Sequence, residues 1–276
     1  MAHRHGIPTR LVFSCAALLI APAALAEVPT DGELSVYEIR RRIDNRDCEG
    51  AIERFKKGLA KGEAEVALMG GSMYEHGVCV RRDWQRAIPL YVRAWEGGQK
   101  EGAERLAAGY ADPANGADAV AAIWWYWRGR SPILPACGVN GEMPTDPDRL
   151  VAEMGKWPAV QLDYCRYVAG VMATISAEMR YPELAGGFAL GGDVSLRFYP
   201  ATPRVELQQT GSTEYELVGY FAVDRLRDRK RKAVTNGFEK AVGEVADRAL
   251  RRYPHPAGIP KEAVIESTYT FYVTRK

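Results

Sequence analysis

The chain repeats one helix-pair pattern at a fixed interval. The apolar pattern that begins at Ala51 begins again at Ala87, 36 residues later, and the glycine at Gly62 returns at Gly98 in the same register. A period in the thirties with two apolar helical stretches per unit is typical of stacked αα-hairpins. Because one hairpin cannot bury its apolar face alone, neighbouring hairpins stack into a solenoid with a concave groove. The pattern therefore favours the binding of protein partners over catalysis.

Residues 1–26 have the pattern of an export signal. Arg4 and Arg10 precede a largely apolar stretch, and Ala24-Leu25-Ala26 forms a small-x-small cleavage site. A membrane span requires about 20 apolar residues, and this apolar stretch is shorter than that. The sequence therefore predicts a periplasmic protein whose signal peptide is cleaved after Ala26.

Charge and motif content argue against several function classes. The full chain has 37 basic and 35 acidic residues. Cleavage of the leader removes two basic residues and no acidic ones, so the mature chain is formally neutral. This balance predicts no nucleic-acid partner. Only His76 and His255 remain after the leader, and no Walker loop, G-x-G-x-x-G, H-E-x-x-H or Ser-x-x-Lys motif occurs. We predict no enzyme activity, cofactor or metal, although a paired-carboxylate site stays open as an alternative.

Four cysteines follow the leader, and an even number in an exported protein predicts two disulfides. Cys48 lies at the start of the first helix of a hairpin, and Cys79 lies just past the end of the second helix. Antiparallel helices bring these two ends together, so the expected bridge is Cys48–Cys79. Cys137–Cys165 follows by elimination. Free thiols or a metal site are the weaker alternative, since no C-x-x-C occurs.

The first repeat resembles the Sel1-like repeat, a relative of the tetratricopeptide repeat. The positions that match the family pattern are Gly62, Ala64, Gly71, Tyr74, Gly77, Val80 and Asp83. Gly70 replaces the usual leucine, and Cys79 occupies a place that is often glycine. The resemblance covers about residues 47–128, is looser in the second unit, and implies a protein-interaction scaffold.

An aromatic cluster closes the repeat region. Trp124, Trp125 and Trp127 surround Tyr126 on a helix expected from Ala119 to Arg128. On a helix, such a run packs between neighbouring helices, which is the simpler interpretation. The alternative is that Trp124 and Trp127 contact a protein partner or a glycan.

Composition changes twice after the repeats, and these changes set the expected domains. Five prolines between Ser131 and Pro158 make a long helix unexpected there. We therefore assign residues 27–130 to helical repeats, 131–170 to a disulfide-tied Pro/Gly-rich linker, and 171–276 to a second domain. The expected fold class is α+β, with an αα-hairpin solenoid followed by a small αβ domain that has an antiparallel sheet.

The second domain shows a helix–strand–strand–helix–strand pattern. We predict a short helix from Val168 to Met179, strands around Val194 and Val205, an amphipathic helix from Asn236 to Tyr253, and a closing strand from Ser267 to Val273. The segment Tyr215–Val223 is ambiguous between strand and helix.

This order resembles the C-terminal domain of TonB-type energy transducers over about residues 172–276. The residues that carry the resemblance are Tyr181, Pro182, Ala185, Gly192, Asp193, Val194, Phe198, Pro256, Gly258, Pro260 and Phe271. In that family the domain captures an extended peptide by adding it as a strand to an open sheet edge. The resemblance implies the same for the closing strand here, with Thr268, Tyr269, Thr270 and Phe271 as the binding residues.

The functional hypothesis is a periplasmic binding scaffold that holds periplasmic or outer-membrane proteins through the repeat groove and extended peptides through the sheet. Its alternatives are a TonB-like energy transducer and a cell-envelope hydrolase. The transducer needs a retained anchor with a serine and a histidine, but His3 and His5 precede the apolar stretch that follows Arg10. A basic run is either a solvated face or a site for acidic headgroups or acidic protein segments; it comprises Arg225, Arg227, Arg229, Lys230, Arg231 and Lys232.

Overall fold

The computed structural model describes residues 29–129, 135–138, 145–183, 185, 190–214 and 237–271. The described residues form helices and a small antiparallel sheet, with the last helix between the second and third strands, which confirms the α+β class. The helices are α1 (Asp31–Asp44), α2 (Cys48–Lys61), α3 (Ala64–His76), α4 (Trp84–Glu96), α5 (Glu101–Ala111), α6 (Ala119–Arg128), α7 (Pro147–Met154), α8 (Ala159–Glu178) and α9 (Gly237–Arg252). The strands are β1 (Leu190–Tyr199), β2 (Arg204–Glu214) and β3 (Ile265–Phe271). The predicted leader and the segment Tyr215–Val223 lie outside the described residues.

Local signals set the ends of the first helices where the sequence predicts them. Asp47 caps α2 by accepting a hydrogen bond from the Gly50 amide at 2.9 Å, and Asp83 caps α4 by accepting one from the Arg86 amide at 3.1 Å. Gly62 ends α2 with a φ of 86°, in the left-handed region that favours glycine. These caps position α1 to α6 so that each helix packs against the next one.

Both expected disulfides are present, Cys48–Cys79 and Cys137–Cys165. The first joins the start of α2 to the turn after α3, as the hairpin argument predicts. Cys79 has a φ of 59°, a conformation that non-glycine residues rarely adopt. This backbone geometry is a physical reason for glycine to be common at such a position.

Helix α8 is longer than the sequence predicts and begins nine residues earlier. Pro158 does not break it, because it stands immediately before the first helical residue with φ −57° and ψ 143°, where a proline costs no hydrogen bond. Pro147 likewise begins α7. The range 131–170, assigned above to a linker, thus contains α7 and the first part of α8, and the boundary at 170/171 falls inside α8.

The central position of α8 explains its composition. Almost every residue from Tyr164 to Ala177 is buried. The helix packs against α5 and α6 on one side and against α9 on another, so it needs apolar residues all round. One continuous core therefore runs from Ala107 to Phe271. Among the described residues, no helix has both the length and the hydropathy of a membrane span.

The sheet has the order β2-β1-β3, with both pairings antiparallel. The central strand turns Val194, Leu196 and Phe198 inward, and all three are buried. Helix α9 packs across β1 and β2 on this inner face. Among the described strands, β3 has β1 on one side and no neighbour on the other.

Candidate functional site

Strand β3 forms one edge of the sheet. It pairs with β1 from Ile265 opposite Phe198 to Phe271 opposite Gly192. Within the ranges that the structure describes, no strand pairs with its other side. An unpaired strand edge presents a row of backbone N–H and C=O groups that an extended chain can join.

The side chains of β3 alternate between the two faces of the sheet. Thr268 and Thr270 are exposed on the outer face, whereas Phe271 is buried and Tyr269 is half-buried on the inner face. Phe271 stacks on Phe238 of α9 with ring centroids 4.7 Å apart. The Tyr269 hydroxyl lies 3.5 Å from the Ser176 hydroxyl of α8, and burial raises the pKa of Tyr269 to about 12. Both aromatic side chains therefore belong to the core, and the exposed side chains of the edge strand are Glu266, Thr268 and Thr270.

The outer face of the sheet is polar and open. Arg197 of β1 lies opposite Glu206 of β2 and Glu266 of β3, and its Nε is 2.8 Å from the Glu266 carboxylate. Tyr199 donates a hydrogen bond of 2.8 Å to Glu206. A shallow depression of about 680 Å³ follows this face along all three strands.

The two edges of the sheet differ in chemistry. The exposed outer-face residues of β2 include Arg204, Glu206 and Gln208, which are long and mostly charged. Such side chains discourage the pairing of another strand. The exposed outer-face residues of β3 are Glu266, Thr268 and Thr270. Across the central strand, Glu266 corresponds to Glu206 and Thr268 corresponds to Gln208. On this face β3 therefore carries one charged side chain, Glu266, where β2 carries two, and its two threonines favour β structure.

A buried ionic cluster fixes the sheet domain to the helices. Arg252, near the end of α9, places its Nε 2.8 Å from Asp112 and its Nη2 3.1 Å from Glu75 of α3. Glu178 of α8 lies 3.7 Å from the same guanidinium. Glu75 also accepts a 2.6 Å hydrogen bond from the Tyr91 hydroxyl. One side chain thus ties four segments together.

The charges in this cluster compensate each other. Burial raises the pKa of Glu75, but the positive charge of Arg252 and smaller contributions from other neighbours outweigh that effect, so the pKa lies below its ordinary value. The neighbouring Tyr253 donates a hydrogen bond of 3.0 Å to the Ala108 carbonyl and lies 2.7 Å from the Thr174 hydroxyl. The cluster therefore has a structural role in holding the end of α9 against α3, α5 and α8.

Glu104 of α5 is a second unusual acid. It is largely buried, and its side chain lies beside Gly129 at the end of α6. Burial, and then the nearby negative charge of Glu101, raise its pKa to about 7. Electrostatic interactions link Glu104 to Tyr126 and to Tyr269 of β3. Protonation of this carboxyl therefore acts at the junction between the helices and the edge strand.

The raised pKa of Glu104 makes stability depend on pH. Between pH 4.5 and 7 the unfolded chain has lost this proton while the folded chain keeps it, so stability falls as pH rises. In the parent, we expect this proton to make the free energy of unfolding fall by about 2–3 kcal/mol between pH 4.5 and 7. Glu104→Gln should lack this fall and should therefore be more stable than the parent at pH 8. Melting temperatures from pH 5 to pH 8 measure it. The exposed Glu96→Gln is the control, and parallel curves for parent and Glu104→Gln would contradict the assignment.

The predicted tryptophans lie at the end of α6 and are half-buried. Trp124, Trp125 and Trp127 all pack against the main core, which agrees with the packing interpretation. Trp125 meets Trp95 of α4 edge-on, with centroids 5.3 Å apart. Trp124 carries the guanidinium of Arg128 on its ring face. Part of this cluster remains accessible to solvent.

The remaining predicted residues fall into two groups. The four cysteines form the disulfides described above, whereas the basic run from Arg225 to Lys232 lies outside the described residues. Sequence reasoning missed Arg252, Glu75 and Asp112, because residues far apart in the chain give no signal of their contact. It also missed Arg128, although its i, i+4 spacing from Trp124 was a visible signal.

Comparison with protein-family models, curated proteins and solved structures gives no match. In the described part of the chain, no group of three or more His, Cys, Asp or Glu residues is placed to hold a metal ion. The function is therefore inferred from the geometry of the β3 edge and of the helices that pack beside it.

Proposed function

We propose that this protein is an exported binding scaffold that captures an extended peptide segment by strand addition to β3. The observation that carries the proposal is the position of β3 at the sheet edge, with short threonine side chains on its outer face. An added strand gains backbone hydrogen bonds whatever its sequence, and side-chain contacts then select among peptides. The partners are extended segments of periplasmic or outer-membrane proteins.

The surroundings of β3 support this role. The inner side chains of β3 pack into the main core, with Phe271 against Phe238 of α9, and the Arg252 cluster ties α9 to the helices. A preordered edge lowers the entropy cost of binding. The open outer face leaves room for alternate side chains of the peptide. The domain would thus act in the manner that its resemblance to TonB-type C-terminal domains implies.

The helical half provides a second binding surface in this proposal. Gly62 and Gly98 both adopt left-handed φ values, 86° and 91°, at equivalent points of the two units. Together with the helix order, this supports a Sel1-like repeat region with a groove for another protein. Two disulfides are typical of proteins of oxidising compartments and support a periplasmic location.

Proline substitution tests strand addition. Neighbouring residues of a strand point their N–H groups to opposite sides, so Ser267 and Thr270 point theirs in opposite directions. One of Ser267→Pro and Thr270→Pro must therefore delete a donor that faces away from β1. The peptides for the test are selected from a random decapeptide phage library by binding to the mature protein. We expect the proline variant that deletes the outward donor to keep the melting temperature of the parent and to lose binding of these peptides. The other variant should be destabilised, because it loses a bond to β1.

Alanine substitutions of the tryptophans provide the control. Trp124→Ala and Trp127→Ala should leave decapeptide capture intact, because the helical half recruits a different part of the partner. If the stable proline variant binds the selected peptides as tightly as the parent does, strand addition at β3 is wrong.

A further inference from the structure

Arg128, the last residue of α6, has an unusual environment for a cation. Its guanidinium carbon lies 3.1 Å from the ring centroid of Trp124 and 5.9 Å from that of Trp95. The first contact lies within α6, and the second reaches across to α4. The guanidinium thus lies on the ring of Trp124 and at the outer limit of a cation–π contact with Trp95 of another helix.

The two indoles are themselves fixed. Trp95 packs edge-on against Trp125 with an interplanar angle of 82°, and Trp124 and Trp125 pack against the main core. Stacking occupies the faces of a guanidinium and leaves its edges free, where the N–H donors point. The donors of Arg128 are therefore directed by the rings and need little further ordering.

Among the residues that the structure describes, most of these donors have no acceptor. The hydrogen bond of Arg128 is a long one, from Nη1 to the Trp124 carbonyl at 3.4 Å. Among the described residues, no carboxylate oxygen lies within 4.0 Å of its guanidinium. Glu104 lies beside the following residue, Gly129, but makes no ion pair with Arg128. Partial burial without a counter-charge lowers the pKa of Arg128 below its ordinary value.

We propose that Arg128, which lies on the ring of Trp124 and near Trp95, is a binding site for a carboxylate of the partner polypeptide. A planar guanidinium with free edges binds a carboxylate through two parallel hydrogen bonds. Partial desolvation strengthens that interaction, and the indoles give adjoining apolar contact to the group that carries the carboxylate. The carboxylate is supplied either by a chain terminus or by an acidic side chain.

This inference rests on the proposed function only in taking the partner to be a polypeptide. It assigns to the helical half a site that is separate from the β3 edge. The partner therefore has two points of attachment: its backbone binds the β3 edge, and its carboxylate binds Arg128.

Three peptides test the proposal on the ¹⁵N-labelled mature protein. They are tetra-alanine with a free carboxylate, the same peptide amidated, and an amidated peptide in which one alanine is replaced by glutamate. We expect a carboxylate-bearing peptide to shift the indole Nε1–H signals of Trp95 and Trp124 and the Nε–H signal of Arg128, and to bind at least fivefold more tightly than the peptide without one. The first peptide identifies a terminal carboxylate and the third an acidic side chain.

Variants separate binding from packing. Arg128→Gln should reduce carboxylate binding at least tenfold, and Arg128→Lys should restore part of it, with the circular dichroism spectrum unchanged in both. Arg251→Gln, an exposed arginine on α9, is the matched control and should bind like the parent. Equal affinity of the parent for all three peptides, or full binding by a folded Arg128→Gln, would overturn the proposal.

The outcome is distinguishable from that for strand addition. The stable proline variant of β3 should still bind the carboxylate peptides through Arg128. If the proline variant loses decapeptide capture but keeps carboxylate binding, both sites are supported. If the parent captures decapeptides but does not bind the carboxylate peptides, the Arg128 site alone is rejected.

Discussion

Replacing Arg252 by methionine is expected to lower the free energy of unfolding by about 3–5 kcal/mol, which is the typical cost of breaking a buried ion pair. The substitution leaves Glu75 and Asp112 buried, only 3% and 7% exposed, without their shared counter-charge. Urea denaturation at pH 7 measures the loss.

The neighbouring arginine provides the control for this effect. Arg251 is exposed on the same helix, so Arg251→Met should change stability by less than about 0.5 kcal/mol. A triple variant that also makes Glu75 and Asp112 apolar should recover much of the loss, because no uncompensated charge remains buried. A loss below about 1 kcal/mol for Arg252→Met would show that the cluster does not hold α9 to the helices.

Removing the Cys48–Cys79 disulfide with two serines is expected to cost about 3–4 kcal/mol. The bridge closes a loop across a sequence separation of 31, and the chain-entropy model relates that length to the stabilisation. Chemical denaturation of the double variant and the parent, with the Cys137–Cys165 bridge intact in both, measures the difference.

The backbone at Cys79 adds a second, smaller expectation. Its φ of 59° is strained for serine and relaxed for glycine. Cys48→Ser with Cys79→Gly should therefore be about 0.5–1 kcal/mol more stable than the double serine variant. Equal stabilities would mean that the left-handed backbone at this position stores no strain, and an unchanged stability of both variants would contradict the role of the bridge.

Much of the local structure could be predicted because its causes are local. Asp47 and Asp83 cap helices through hydrogen bonds to residues three positions away, and Gly62 ends a helix through its own φ. The Cys48–Cys79 pairing followed from the antiparallel geometry of one hairpin. In each case a short stretch of sequence contains both partners of the interaction.

The extent of α8 could not be predicted for a different reason. Proline-rich sequence predicts irregular structure, but Pro147 and Pro158 stand at positions where helices begin. Which role a proline takes depends on what the following residues bury, and α8 buries its surface against α5, α6 and α9 at once. That information is tertiary.

The candidate site was predictable in outline and not in detail. Alternation along a strand puts Thr268 and Thr270 on the face opposite Tyr269, but only the packing of Phe238 and Ser176 shows that the aromatic face is the core face. The Arg252 cluster joins residues up to 177 positions apart, so periodicity and spacing give no sign of it.

Amide hydrogen exchange of β3, with and without a bound peptide selected from the decapeptide library, tests strand addition most directly. We expect the amides between Ile265 and Phe271 that point away from β1 to exchange at least tenfold more slowly in the complex, because they become donors to the added strand. Amides of α2 and α3 should be unaffected by the peptide. Unchanged exchange throughout β3 in a saturated complex, with protection confined to other elements, would contradict capture at this edge.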